Sequence, residues 1–240
     1  MDIIAQDLYQ DSASPLHKLG QKAEDSLGNV FRYVRCGSST ALVAGHLLQE
    51  GAEDTNYRSM VAQAAAAIGA TEIAVTLGGT AVTADQFKDG ILLVESGTGL
   101  GQKFTIVSHT VQTSTTGTCT FTIDRPVETA LVATTSQVTV RRNPYVAVID
   151  NPTTQTGGPV GVALIATTIS YYGWIQSGGD CGVLFDTGTN TSNGATELVA
   201  SAAVAGSVKP MGTVGQPIVG FAREVVSVDS TFGVAHLTID

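Results

Sequence analysis

Apolar residues along this chain come in strand-length runs separated by clusters of turn-forming residues. Asp25-Ser26-Leu27-Gly28-Asn29 is a turn signal, and Val30 to Cys36 follows as a strand. Further runs predict strands over Leu42 to Gln49, Ile73 to Leu77, Gly90 to Glu95, Phe104 to His109, Thr118 to Ile123, Gln137 to Arg142 and Tyr145 to Ile149. Beyond them lie Val160 to Ala166, Tyr171 to Gln176, Cys181 to Phe185, Glu197 to Ala202, Ile218 to Ala222 and Val234 to Ile239. Helical spacing is confined mainly to the Ala-rich segment Met60 to Ile68, which Gly69 would end. Short strands without βαβ alternation predict an all-β protein, an antiparallel β-sandwich or barrel with at most one short helix.

Two stretches break this pattern. Residues 1–24 are polar, with Ile3, Ile4, Leu8, Tyr9, Leu16 and Leu19 scattered through them and Pro15 in the middle. They read as an extended arm with too little apolar surface to fold by itself. Asn151-Pro152-Thr153-Thr154-Gln155-Thr156-Gly157-Gly158-Pro159 reads as a linker. The expected organisation is therefore an arm over 1–24, a β-rich domain over 25–150, and a second β-rich segment over 159–240 that packs into the same body or stands beside it.

Composition agrees with the pattern. The 240 residues include 31 Thr, 27 Val and 13 Ile, side chains that suit a pleated sheet. The net charge of −9 and the absence of any basic run longer than Arg141-Arg142 argue against binding to a nucleic-acid backbone. No apolar stretch reaches the roughly 18–20 residues of a membrane-spanning helix. Met1 to Asp7 has no basic n-region, which predicts a chain made and kept in a cytoplasm.

Candidate chemistry is sparse. Cys36, Cys119 and Cys181 are isolated and odd in number, and read as reduced, buried thiols. His17, His46, His109 and His236 are too scattered to suggest a metal site, and no cofactor motif appears. Gly97-Thr98-Gly99-Leu100-Gly101 superficially suggests a phosphate loop, but a strand follows where a helix N-terminus is needed, so a hairpin is expected. Asp180 beside Cys181 lacks any nucleophile-elbow context, and the pairs Asp85/Asp89 and Asp124/Glu128 read as surface acids. In Tyr171-Tyr172-Gly173-Trp174, alternation puts Tyr172 and Trp174 on one face, as part of a core strand or as a subunit or carbohydrate contact.

Several segments stand in a characteristic order along the chain. Those segments are Leu27-Gly28-Asn29-Val30-Phe31-Arg32-Tyr33-Val34, Leu42-Val43-Ala44-Gly45-His46-Leu47-Leu48-Gln49, Gly90-Ile91-Leu92-Leu93-Val94 and Gly99-Leu100-Gly101-Gln102-Lys103-Phe104-Thr105-Ile106. Asn143-Pro144-Tyr145, Gly161-Val162-Ala163, Tyr172-Gly173-Trp174-Ile175-Gln176 and Val214-Gly215-Gln216-Pro217-Ile218-Val219-Gly220 continue the series, which spans roughly residues 19–223. This order resembles that of the head decoration, or cement, proteins of tailed bacteriophages, and the resemblance implies a non-enzymatic virion protein on the capsid exterior, made in the host cytoplasm. It would bridge subunits of the major capsid protein as a homo-oligomer, a trimer rather than a dimer. Ile3, Ile4, Leu8, Tyr9 and Leu16 are the expected capsid-docking residues, with Tyr172 and Trp174 at a subunit interface. A β-rich carbohydrate-binding or tail-fibre module is the competing reading.

Overall fold

In the computed structural model, residues 5–186, 196–212, 215–226 and 228–240 are described. Their fold is all-β, in two compact units: residues 1–52 with 144–240, and residues 53–143. The first unit opens with a single helical turn, α1 (Ala5–Leu8), followed by strands β1 (Lys22–Glu24), β2 (Val30–Arg35) and β3 (Leu47–Gln49). The second contributes β4 (Met60–Val61), β5 (Glu72–Thr76), β6 (Ile91–Ser96), β7 (Lys103–His109), β8 (Thr118–Ile123) and β9 (Gln137–Arg141). The chain then returns to the first unit with β10 (Ile149–Asp150), β11 (Pro159–Ala163), β12 (Tyr172–Phe185), β13 (Glu197–Ala200), β14 (Val208–Pro210), β15 (Ile218–Ala222) and β16 (Thr231–Thr238).

The second unit is a barrel. Its strands run β4-β9-β6-β7-β8-β5, and a bridge from Ala62 to Val75 joins the chain just past β4 to β5, closing the sheet. Alternation supplies the core: in β8, Cys119, Phe121 and Ile123 point inward while Thr118, Thr120 and Thr122 alternate with them. Phe87, Phe104, Phe121, Leu92 and Ile106 fill the interior. Closure leaves no unpaired edge for another chain to add to.

The first unit is organised around β12. Its first half pairs with β2 on one side and β11 on the other; its second half pairs antiparallel with β16 from Gly178–Thr238 to Phe185–Thr231. A single parallel step, Phe185 to Val208, links β12 to β14, and β14-β13-β15-β16 leads back to β12 as a ring. Val183, Phe185, Leu198, Val208, Val219, Ala235 and Leu237 pack inside it. Between the halves of β12 the chain needs Gly179: φ is +85°, and a Cβ there would lie 2.2 Å from Asn29 Oδ1.

Four expectations change. The linear domains over 25–150 and 159–240 give way to an insertion, because β10 and β11 flank β3 in one sheet. The supposed linker joins no two domains but is a loop of the first unit, exposed over residues 153–156 and anchored by Asn151, which is fully buried, accepts from Gln155 Nε2 at 3.3 Å and offers its carbonyl to Gly206 N–H at 2.8 Å. The Ala-rich stretch from Met60 is extended rather than helical. Gln63 N–H donates to Ala74 O, and Ala66 exchanges backbone hydrogen bonds with Leu131, so long-range pairing overrides local helix propensity. Tyr145 to Ile149 is mostly turn, with Ala147 at φ +59°, and only Ile149–Asp150 is strand.

The arm is docked on its own chain. Ser12 and Tyr172 exchange two backbone hydrogen bonds of 2.9 Å, Asp11 Oδ2 accepts from Thr168 N–H at 2.9 Å, and β1 pairs with β2. Leu8 joins Ala23, Phe31, Tyr33 and Trp174 in a buried cluster. Its few apolar residues suffice because they cover aromatic surface that the body already provides.

Candidate interaction surface

The expected docking and interface residues are split by the fold. Ile3 and Ile4 lie outside the described residues. Leu8 is buried in its own unit, so it is not available to a capsid. Tyr9 and Leu16 are exposed, and Tyr172 is half-buried. Trp174 is only 2 % exposed, which removes it as a subunit contact and as a stacking platform for sugar.

A different face presents apolar side chains. Along β16, Gly233, Ala235 and Leu237 point inward, and Phe232, Val234 and His236 point outward. Gly182 of β12 sits opposite Val234, and Phe221 of β15 sits opposite His236. Phe232 is 61 % exposed and Val234 40 %; Phe221 is exposed on β15, as are Val225 and Val228 on the turn leading to β16. At the rim, Asp180 Oδ1 lies 2.8 Å from His236 Nδ1 and 3.4 Å from Arg223 Nε. An apolar centre with an ionic border is the composition of a protein-binding patch. The alternation Phe232-Gly233-Val234-Ala235-His236 carries this signal in the sequence, but a strand begun at Val234 leaves Phe232 out.

The second unit has a smaller counterpart. Ile91 and Leu93 point outward from β6, beside Arg141 and Thr139 of β9 and Thr105 and Lys103 of β7. Near it, Glu53 accepts hydrogen bonds from both Arg58 and Arg141, which links the two ends of the unit's chain. The Arg58 and Arg141 guanidinium groups pull the Glu53 carboxyl down to about 2 from an ordinary 4.5. A depressed carboxyl favours folding wherever it is ionised. Its contribution is full above about pH 5 and is lost as pH falls through 4.5 toward 2. Glu53→Gln is therefore expected to lower stability at pH 7 and to flatten the loss between pH 5 and pH 2, measured by urea unfolding at each pH. An unchanged acid limb would contradict this.

None of the sequence's chemical candidates assembles into a reactive centre. Cys181 alternates away from Asp180, is buried, and its thiol is pushed up to about 12 by burial, which disfavours the thiolate. Burial also raises the Cys36 and Cys119 thiols. All three cysteines are free and buried. In the native protein they should resist alkylation, and after denaturation without reductant each should take one alkyl group. An unmodified pair would mean a disulfide.

The segment from Gly97 to Gly101 is the β6–β7 hairpin connection, with Gly101 N–H donating to Val94 O and Leu100 N–H to Gly97 O. Asp124 Oδ1 accepts from Thr105 N–H at 2.8 Å, and Glu128 pairs with Arg125 at 2.7 Å. Asp85 and Asp89 occupy left-handed turn positions before β6. Among the described residues, no three His, Cys, Asp or Glu side chains cluster as metal ligands. No protein-family model, curated protein or solved structure matches the chain.

Proposed function

We propose that the chain is a structural decoration protein of a tailed-phage head, seated on the capsid exterior. It bridges subunits of the major capsid protein and works as a homotrimer. The observation that carries this reading is the outward face of β15 and β16, where Phe221, Phe232 and Val234 lie exposed beside the Asp180–His236–Arg223 rim. The resemblance of the ordered segments to cement proteins supplies the partner. The arm's burial of Leu8 moves the attachment from the arm to the sheet, with Tyr9 and Leu16 left as outer contacts.

Burying one large apolar side chain contributes roughly 1.5–3 kcal/mol before ordering costs. Three copies in one oligomer turn modest docking into lasting attachment through effective concentration. The test is to mix purified protein with heads stripped of it and to count bound copies. Wild-type protein should saturate the heads, and Phe232→Asp with Val234→Asp should bind at a small fraction of that level while keeping its far-ultraviolet spectrum. Equal occupancy by the double variant would overturn the sheet face as the anchor. Light scattering of the free protein tests the trimer, and a monomer both free and on heads would refute it.

A further inference from the structure

The exposed face of β15 and β16 continues, in register, onto the strands at either side. Glu197 of β13 stands opposite Phe221 of β15, Phe221 opposite His236 of β16, and His236 opposite Asp180 of β12. Directly opposed residues share a face, so one row across four strands carries a carboxylate at each end and an exposed Phe between them. Strands lie roughly 4.8 Å apart, so three steps set Glu197 and Asp180 about 14 Å from one another. In the next row Arg223 N–H donates to Val234 O at 2.9 Å, and Val234 N–H donates to Glu224 Oε1 at 2.7 Å, which holds a third carboxylate beside exposed Val234.

Charge decides what can cover this face. From Ile218 to Thr238, and in the paired segments Glu197–Val199 and Gly178–Phe185, the sequence holds the acids Asp180, Glu197, Glu224 and Asp229 against one Arg and no Lys. With His236 neutral the region carries −3 of the chain's −9. Its one cation, Arg223, already lies 3.4 Å from Asp180. A second copy would present the same acids, so like charges oppose self-contact through this face. β16 is paired on both sides, by β12 and by β15, so recognition runs through side chains rather than an added strand. We infer that the face docks a protein surface with an apolar centre flanked by Lys or Arg side chains about 14 Å apart, the cations reaching Glu197 and Asp180 and the centre covering Phe221 and Val234. The inference rests on the proposal that this face meets the major capsid protein, and it adds that the capsid's contact is basic.

The full chain is titrated onto stripped heads across a salt series. Wild-type affinity should fall about tenfold or more between about 50 and 500 mM NaCl, because salt screens exposed charges. Glu197→Lys should bind about tenfold more weakly than wild type at the low end and approach it at the high end, with an unchanged far-ultraviolet spectrum. Glu197→Gln should fall between the two. Arg223→Gln should bind more tightly at low salt, since it removes the one cation that opposes a basic contact. Equal or tighter low-salt binding by Glu197→Lys, or weaker binding by Arg223→Gln, would mean that the face does not meet a basic surface; either result overturns the inference and leaves the sheet face as the anchor. A wild-type protein that binds heads at no salt concentration overturns the virion reading, and the inference with it.

Discussion

Phe87→Ala is expected to cost about 3–5 kcal/mol, the range for truncating a fully buried Phe. Phe87 is 1 % exposed and sits at the centre of an aromatic cluster, with Tyr57 at 4.7 Å, His109 at 5.9 Å and Phe121 at 6.0 Å between ring centroids. Its backbone N–H also donates to His109 Nε2 at 3.1 Å, so collapse around the cavity is restricted on two sides. Every residue of this cluster belongs to the unit of residues 53–143. Hydrogen exchange resolved by segment should place the loss of protection on β5 to β9 and spare β12 and β16. Protection lost evenly along the chain would contradict two separate cores.

Removing residues 1–17 should have the next largest effect. Leu8 is buried against the cluster of Phe31, Tyr33 and Trp174, and truncating one buried Leu alone costs roughly 2–5 kcal/mol. The deletion also takes away His17, which packs on both Tyr33 and Trp174, and the paired hydrogen bonds between Ser12 and Tyr172. The Trp174 emission should therefore shift to the red, and the midpoint of urea unfolding should fall. Leu8→Ala should reproduce part of the loss, about 2 kcal/mol. An unshifted spectrum in the truncated protein would mean that the arm does not cover Trp174.

The strands that the sequence makes plain are those whose alternation is local and complete. Thr118–Ile123 appears as expected because turn residues bound it and inward and outward residues are distinct. The two runs Tyr171 to Gln176 and Cys181 to Phe185 turn out to be one strand, since a bulge at Gln176–Gly178 and the left-handed Gly179 let pairing continue through a segment that reads as a break. Met60 to Ile68 misleads for the opposite reason: its Ala residues favour a helix locally, while Ala62 and Ala66 are each held by a partner strand distant in sequence. The insertion of one unit into the other is illegible for the same cause, because it depends on β3 recruiting β10 and β11 from beyond the barrel.

The candidate surface was less legible than the fold. Trp174 looks like an interface residue from its type and its face of the strand, and only the docking of Leu8 and His17 reveals it as core. Phe232 and Val234 carry the exposed patch with an ordinary alternating pattern, so periodicity alone does not reveal which face lacks a covering layer.

The central claim is that this chain coats the outside of a phage head. A reconstruction of intact particles tests it most directly. Density for the β-body should stand on the outer surface of the shell, in three copies around local three-fold positions, with the face of β15 and β16 turned toward the major capsid protein. Density for this chain at the tail tip, or its absence from the particle, would contradict the claim.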